Sequence, residues 1–156
     1  MADLREHFQL LARYNHVANE RLYAACARLD LDTLRAESSA PFGSIFGLLE
    51  HVLAGDEVWL ARFGGDLGAQ LRKGPRQDLD LAELTALRTV MDERITTFTA
   101  ALTDEHLDRP MSYLNSSGVR IEGPTSRLLA HMFNHQTHHR GQVQVHNVWV
   151  AGDVGA

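Results

Sequence analysis

Apolar residues recur every three or four positions along four separate stretches of the chain. In residues 3–29 this spacing runs from Phe8 to Leu29. It places the apolar side chains on one face of an α-helix, whereas a strand would alternate at every second residue. The pattern therefore predicts four amphipathic helices, each with one face to bury. Their expected spans are 3–29, 44–63, 80–102 and 124–150.

Three of these helices also carry signals that mark where they begin. Ser44 is suited to be the N-cap of the second helix, because its hydroxyl can accept a bond from a free backbone N–H. Asp80 followed by Glu83 resembles a capping box at the start of the third. Pro124 fits the first turn of the fourth, where its missing N–H costs nothing.

Turn-forming residues separate the helical stretches. Residues 31–43 form a break, residues 64–77 are rich in glycine and polar side chains, and residues 110–124 predict a small hairpin or an irregular loop. Four amphipathic helices in 156 residues predict an all-α protein, a four-helix bundle that forms a single domain over residues 1–156. Its crossover loops are long enough to cross the bundle, so an up-down-up-down order is not required.

Charge and cysteine content narrow the class of protein. The formal net charge is −5, which disfavours a general nucleic-acid binder. A lone cysteine, Cys26, cannot form an internal disulfide, and we expect it to be a small core residue. The first ten residues lack the apolar run of a signal peptide, and no stretch approaches the length that spans a bilayer. These observations predict a cytoplasmic protein that binds neither membranes nor nucleic acid.

Histidines are concentrated in the fourth helix, where four of the nine lie within HMFNHQTHHRGQ, residues 131–142. A helical wheel places His135 and His139 inside the apolar stripe and His131 and His138 at its edge. A buried polar group without a partner costs about 1–3 kcal/mol, so two imidazoles on a core face need an explanation. They are either hydrogen-bonded core residues or a metal-binding pair, since residues four apart can converge on one cation. The glutamate of the HExxH motif is missing, which argues against a zincin protease.

A third histidine favours the metal-binding interpretation. His51 lies on the apolar face of the second helix, and the small residues Ala54 and Gly55 leave space beside it. Alone, such a histidine is more often a hydrogen-bonded core residue. Together with a core-facing HxxxH, a three-histidine site across two helices is the better explanation. Three neutral imidazoles suit zinc, nickel, iron or copper better than magnesium or calcium, and they leave a coordination position open.

The residues of three helices resemble those of the DinB/YfiT-like family of metal-binding four-helix bundles. The resemblance rests on YNHVANERLYAA, LLEHVLAGDEVWLARF and HMFNHQTHHRGQV, the last of which matches the family's HxxxHRGQ pattern. It implies an up-down-down-up bundle and one divalent metal held by His51, His135 and His139. Val17 stands where an aromatic residue is common in the family. The resemblance also implies a homodimer. Of the metals that suit three imidazoles, we expect zinc or nickel ahead of iron or copper.

Two functions remain open at this stage. Members of the family include transferases and isomerases that use a low-molecular-weight thiol, so one hypothesis is thiol-dependent S-transfer or isomerisation of a small electrophilic substrate. The other is a non-catalytic, stress-associated metal-binding bundle. Catalytic residues are not indicated by the sequence. Weak candidates for anchoring a thiol are Tyr14, Asn15, Asn19 and the 111–121 loop.

Residues that adjoin the predicted ligands have expectations of their own. Gln142 lies one turn beyond His139 and is placed to hydrogen-bond it. We expect Arg140 to form a structural salt bridge. Asp56 and Glu57 point away from His51 on the wheel, so neither is expected to be a fourth ligand.

Overall fold

The computed structural model describes residues 3–38, 42–71, 76, 78–115 and 117–151, with side chains up to residue 144. Four long helices dominate it, and the prediction of a mainly helical bundle is confirmed. No helix in these ranges is long and apolar enough to cross a membrane. The elements in chain order are α1 (Leu4–Cys26), α2 (Leu31–Arg35), α3 (Ile45–Phe63), α4 (Leu81–Ala100), α5 (Asp104–Asp108), β1 (Pro110–Leu114), β2 (Arg120–Pro124) and α6 (Thr125–Ala151).

The predicted helix starts are confirmed at two positions. The Ser44 hydroxyl accepts a bond from the Gly47 N–H at 3.0 Å at the start of α3. At the start of α4, the Asp80 carboxylate accepts from the Glu83 N–H and the Glu83 carboxylate accepts from the Asp80 N–H, both at 2.8 Å. Each arrangement satisfies backbone donors that the first turn leaves free, which fixes where these two helices begin.

Two details differ from the sequence prediction, and the structure decides between two alternatives at a third position. The break at residues 31–43 contains the short helix α2, capped by the Asp30 side chain, while Pro41 lies outside the described residues, as does part of the predicted 64–77 loop. The segment 110–124 is a two-stranded antiparallel hairpin, the first of the two alternatives. Pro124 ends β2 instead of opening α6, because Thr125 donates both its N–H and its hydroxyl to the Arg109 carbonyl.

The directions of the long helices follow from side chains that meet across the bundle. Phe8 stacks on Phe133 and Asn15 meets Arg140, so α1 and α6 run parallel. His51 meets His135 while Trp59 meets His131, so α3 runs against α6. Asp56 pairs with Arg88 and Phe63 stacks on Phe98, so α3 and α4 run parallel. The order is therefore up-down-down-up for α1, α3, α4 and α6.

Leucines, methionines and phenylalanines of all four long helices form the core. The spacing of apolar residues on α4 puts Leu84, Leu87, Met91 and Ile95 on one face. Of these, Leu84, Met91 and Ile95 are buried, but Leu87 is 39% exposed. Arg88 and Asp92 are buried in its place. Cys26 is fully buried in the apolar cluster, as expected of a small core residue. Because Arg88 and Asp92 are charged residues at core positions, they need buried polar partners on the neighbouring helices.

Candidate metal centre

The three histidines singled out in the sequence lie together where α3 passes α6. His51 comes from the first half of α3, and His135 and His139 are four residues apart on one face of α6. One ring nitrogen from each lies within 4.8 Å of those of the other two. His51 Nε2 and His135 Nε2 are 3.1 Å apart. Two antiparallel helices thus place three imidazoles around one point.

The distances between these nitrogens fit a transition-metal ion. Zinc–nitrogen bonds of 2.0–2.1 Å in a tetrahedral site place ligand nitrogens roughly 3.3 Å apart. The 3.1 Å separation between His51 Nε2 and His135 Nε2 is close to that value, and all three ligand atoms lie within 4.8 Å of one another. The donor set contains no carboxylate, which suits zinc, nickel, iron or copper better than a hard cation.

Gly55 makes room for this arrangement. A Cβ at position 55 would lie 3.0 Å from His135 Cε1, closer than side chains normally pack. The sequence predicted that small residues would leave space beside His51, and the His135 ring fills the space left by Gly55. Any side chain at position 55 would therefore require the His135 ring to shift, which would change its distance from His51.

All three rings are neutral near pH 7, which is the form that binds a metal. Desolvation lowers the pKa of His51 to about 4, with a smaller contribution from the charge of His139. Desolvation also lowers the pKa of His135 to about 3, and neighbouring histidines add to the effect. The pKa of His139 is lowered by burial as well, although its bond to Gln142 opposes this. No proton has to be displaced from a charged ring when a cation enters.

Gln142 determines which nitrogen His139 presents. The side chains of these two residues meet through His139 Nδ1 and Gln142 Oε1 at 2.7 Å. An amide oxygen can only accept, so Nδ1 carries the hydrogen and Nε2 keeps its lone pair for a ligand. The sequence had placed Gln142 as a hydrogen-bonding neighbour of His139, and it lies there.

His131 and His138 lie outside this cluster and are exposed. The His131 ring packs edge-on against Trp59 at 5.5 Å, and His138 packs edge-on against His139 at 5.0 Å. Their positions agree with the wheel, which put both at the border of the apolar stripe. The cluster that could hold a metal contains His51, His135 and His139 only, within the described part of the chain.

Comparison with known proteins identifies the family of this chain. The model of the DinB family matches residues 1–146. This chain belongs to the DinB family. Among its relatives is Protein DinB of Bacillus subtilis (strain 168), 29% identical over 140 residues, an alignment that covers 85% of this chain and 80% of the relative.

In this DinB-family chain the carboxylates of α3 are all bound away from the histidines. Glu50 accepts a bond from the Arg76 backbone N–H at 2.6 Å, and Glu57 accepts two from the Arg76 guanidinium at 2.7 Å. Asp56 is fully buried and pairs with Arg88. The wheel was correct that Asp56 and Glu57 face away from His51. The centre is therefore formed by neutral groups alone.

A buried polar network behind the histidines was not anticipated. It joins all four long helices and consists of Asn15, Asn19, Asp56, Arg88, Asp92, Gln136 and Arg140. Arg88 forms ion pairs with Asp56 at 2.6 Å and with Asp92 at 2.9 Å. A sequence signal existed, since Arg88 and Asp92 fall four apart on the core side of α4, but such a pair reads equally well as a surface salt bridge.

Two predictions about neighbouring residues change because of this network. Arg140 was expected to form a salt bridge, but its guanidinium donates to the side-chain oxygens of Asn15, Asn19 and Thr137 instead. Asn15 and Asn19 in turn donate through their side-chain nitrogens to Asp92, so Arg140 is linked to that carboxylate only through the two amides. Asn15 and Asn19 were also weak candidates for anchoring a thiol. Both are buried inside the network and are not available to a small molecule.

Phe42 is a further residue near the histidines that the sequence did not reveal. Its ring stacks on His51, with ring centroids 3.7 Å apart and planes 16° from parallel. Its edge approaches His139 at 5.7 Å between centroids. Phe42 nevertheless remains 54% exposed. An aromatic residue in a loop gives no periodic signal, so only the structure relates it to the histidines.

Proposed function

We propose that this protein binds one divalent transition-metal ion through His51, His135 and His139, and that zinc or nickel is the ion, with iron or copper as alternatives. The observation that carries the proposal is the convergence of three neutral, half-buried or buried ring nitrogens within 4.8 Å. Three imidazole nitrogens form a donor set that suits a borderline transition metal.

The hydrogen bonding of the histidines supports a ligand role over a purely structural one. Core histidines normally satisfy both ring nitrogens. Here the buried Nδ1 of His135 has no hydrogen-bond partner among the described residues, and its Nε2 faces only another imidazole nitrogen. Two ring nitrogens that face each other can share at most one proton. A cation between the rings would satisfy the facing lone pairs at once.

We further propose that the centre serves thiol-dependent S-transfer or isomerisation of a small electrophilic molecule. A metal with three protein ligands keeps a position for a small molecule and favours the thiolate form of a thiol bound there. The residues of the chain contribute in three ways. Neutral imidazoles leave the charge of the ion undiminished, Gln142 orients His139, and Phe42 shields one face of His51 from water.

Metal content tests the first part of this proposal. Wild-type protein should carry one metal ion per chain, and His51→Ala, His135→Ala and His139→Ala should each lose most of it, as measured by elemental analysis after gel filtration. His138→Ala is the matched control, because His138 is exposed and borders the centre without joining it. Circular dichroism confirms that each variant is folded. Full retention by all three ligand variants would rule out the site.

Thiol binding tests the second part. Cobalt-substituted protein titrated with low-molecular-weight thiols should develop a sulfur-to-metal charge-transfer band, and turnover of a small electrophile should require the thiol. The alternative function, a non-catalytic and stress-associated metal-binding bundle, predicts metal uptake without either effect. A cobalt spectrum unchanged by every thiol tried would therefore leave the alternative.

The remaining proposals concern assembly and surroundings. We propose a homodimer in the cytoplasm, without nucleic acid or membrane as a partner. Exposed apolar side chains on the outer faces of α1 and α4, among them Leu10 and Val90, are consistent with pairing. Light scattering should give twice the chain mass of 17.4 kDa at micromolar concentration. A mass of one chain would contradict the dimer.

A further inference from the structure

Phe42 combines an exposed aromatic side chain with a strained backbone conformation, and neither feature stabilises the fold. Its ring is more than half exposed, and its backbone has φ +64°, a left-handed conformation that bulky side chains rarely adopt. A glycine at this position would avoid the strain, as the next residue does with φ +80°. Strained residues of this kind concentrate at functional sites, where the surrounding structure holds them in place.

The turn around Phe42 is held from both sides. The Ser38 N–H donates to the Gly43 carbonyl at 2.9 Å, and Ser44 caps α3 immediately afterwards. The Phe42 carbonyl oxygen lies so close to Gly47 that any Cβ at position 47 would overlap it. Gly47 therefore allows the turn to approach the helix. These contacts direct the Phe42 ring onto His51.

The result is an aromatic surface directly beside the three histidines. One face of the Phe42 ring lies on His51, and its edge lies toward His139. Because 54% of the residue remains exposed, part of this ring is available to another molecule. We propose that Phe42 is the recognition surface for the molecule that enters the metal centre. It selects ligands that carry an apolar or aromatic group next to the atom that binds the metal.

This inference rests on the proposed metal site but is independent of the thiol chemistry. Contact between two aromatic rings contributes enough to change affinity by roughly threefold to tenfold. A ligand pair that differs only in an apolar group should reveal the contribution. Acetohydroxamate and benzohydroxamate bind metals through the same two oxygens, and only the second carries a phenyl ring.

The experiment compares the two hydroxamates on cobalt-substituted wild-type protein, Phe42→Gly and Val90→Ala. Binding is followed by the visible cobalt spectrum, which requires no catalytic turnover. Phe42→Gly removes the ring and relieves the backbone, so the fold is expected to be retained. Val90 is equally exposed but lies on α4, away from the centre, which makes it the matched control.

We expect wild-type protein and Val90→Ala to prefer benzohydroxamate by the same factor, and Phe42→Gly to lose about threefold to tenfold of that preference. The affinity for acetohydroxamate should change by less than about twofold. An unchanged preference in Phe42→Gly would overturn the inference and leave the metal site standing. Wild-type protein that takes up no cobalt would overturn the metal-binding proposal, and this inference with it.

Discussion

Helix α6 carries two polar regions that differ in charge and in hydrogen bonding. Its ligand side presents His135 and His139 to His51, and its anchor side presents Gln136 and Arg140 to the other three helices. Each ligand histidine is followed directly by an anchor residue. The ligand side holds neutral groups with few hydrogen bonds, while the anchor side holds charged groups that are densely bonded.

The charges of the anchor side are balanced within the protein. Two carboxylates, Asp56 and Asp92, lie among two guanidiniums, Arg88 and Arg140, and amide side chains connect them. Burial raises the pKa of Asp56, but Arg88 and the amide of Gln136 act in the opposite direction. Each charged group of this region has an oppositely charged or amide partner within the protein, although the Gln136 side-chain oxygen and Arg88 Nε have no hydrogen-bond partner among the described residues. We therefore interpret it as the structure that fixes the rotation of α6 and holds its histidines toward α3.

The ligand side contains no such set of paired charges. Ring nitrogens of its three histidines lie within 4.8 Å of one another, and burial lowers the pKa of all three rings. We interpret the anchor side as serving the fold and the ligand side as the place where the proposed cation would bind, because ring nitrogens of three histidines converge there. Four predictions test this distinction by perturbing one side at a time.

The largest effect should come from removing the central cation of the anchor side. Arg88→Met leaves the buried Asp56 and Asp92 without their common partner. Breaking a buried ion pair in this way costs about 3–5 kcal/mol. Urea unfolding of metal-free protein measures the loss. Arg94→Met, an exposed arginine on the same helix, is the control and should cost no more than about 0.5 kcal/mol. Equal losses in the two variants would mean that the network does not stabilise the fold.

The ligand side should contribute to stability only through the metal. Metal-free His135→Gln should unfold within about 1 kcal/mol of wild type, because no strong bond is lost. With zinc at a hundred times its Kd, wild-type protein should gain about 2.7 kcal/mol. The variant should gain almost none. His138→Gln should behave as wild type in both conditions. A large loss in the metal-free variant would place His135 among the structural residues instead.

The sequence could predict those features whose residues lie only a few positions apart in the chain. His135 and His139 are four apart on an apolar face, and His51 repeats the anomaly on another helix, so the trio was visible as polar residues in an apolar pattern. The helix caps at Ser44 and Asp80 were visible for the same reason, since each involves residues three apart. The order of the helices came only from the family resemblance.

Features that depend on distant residues were missed. Arg88 pairs with Asp56 from 32 positions away, and Arg140 meets Asn15 from 125 positions away. Such partners cannot be recognised before the helix order is known. The short helices α2 and α5 span five residues each, too few to show a period of 3.6. Phe42 lies in a loop, where no periodic pattern relates it to His51.

A smaller effect should follow from changing the orientation of one ligand. Gln142→Met keeps a similar size but removes the oxygen that accepts from His139 Nδ1. Losing such a partner lowers metal affinity about tenfold to a hundredfold. Competition with a chelator measures this change. Gln144→Met, an exposed neighbour on α6, is the control. If both variants bound metal as wild type does, the hydrogen bond to Gln142 would not contribute to the site.

The smallest effect should appear in the pH dependence of metal-free protein. An unfolded histidine has a pKa near 6.5, and that of folded His135 is about 3. As the pH falls below 6.5, the unfolded chain takes up a proton at this residue before the folded protein does. Stability contributed by the neutral ring is therefore present above pH 6.5 and is lost progressively as the pH falls toward 3.

The comparison that isolates this effect is wild type against His135→Gln, both treated with a chelator and unfolded in urea at pH 7 and pH 5. Between these values wild-type protein should lose about 1 kcal/mol more than the variant, an amount reduced from the full linkage by solvent screening at the half-buried ring. Titration of Asp56 and Asp92 on the anchor side affects both proteins alike and cancels in the difference. Equal losses would mean that the His135 ring is not desolvated. The ligand side would then be an ordinary solvent-exposed surface, and the interpretation of its histidines as desolvated neutral groups would be wrong.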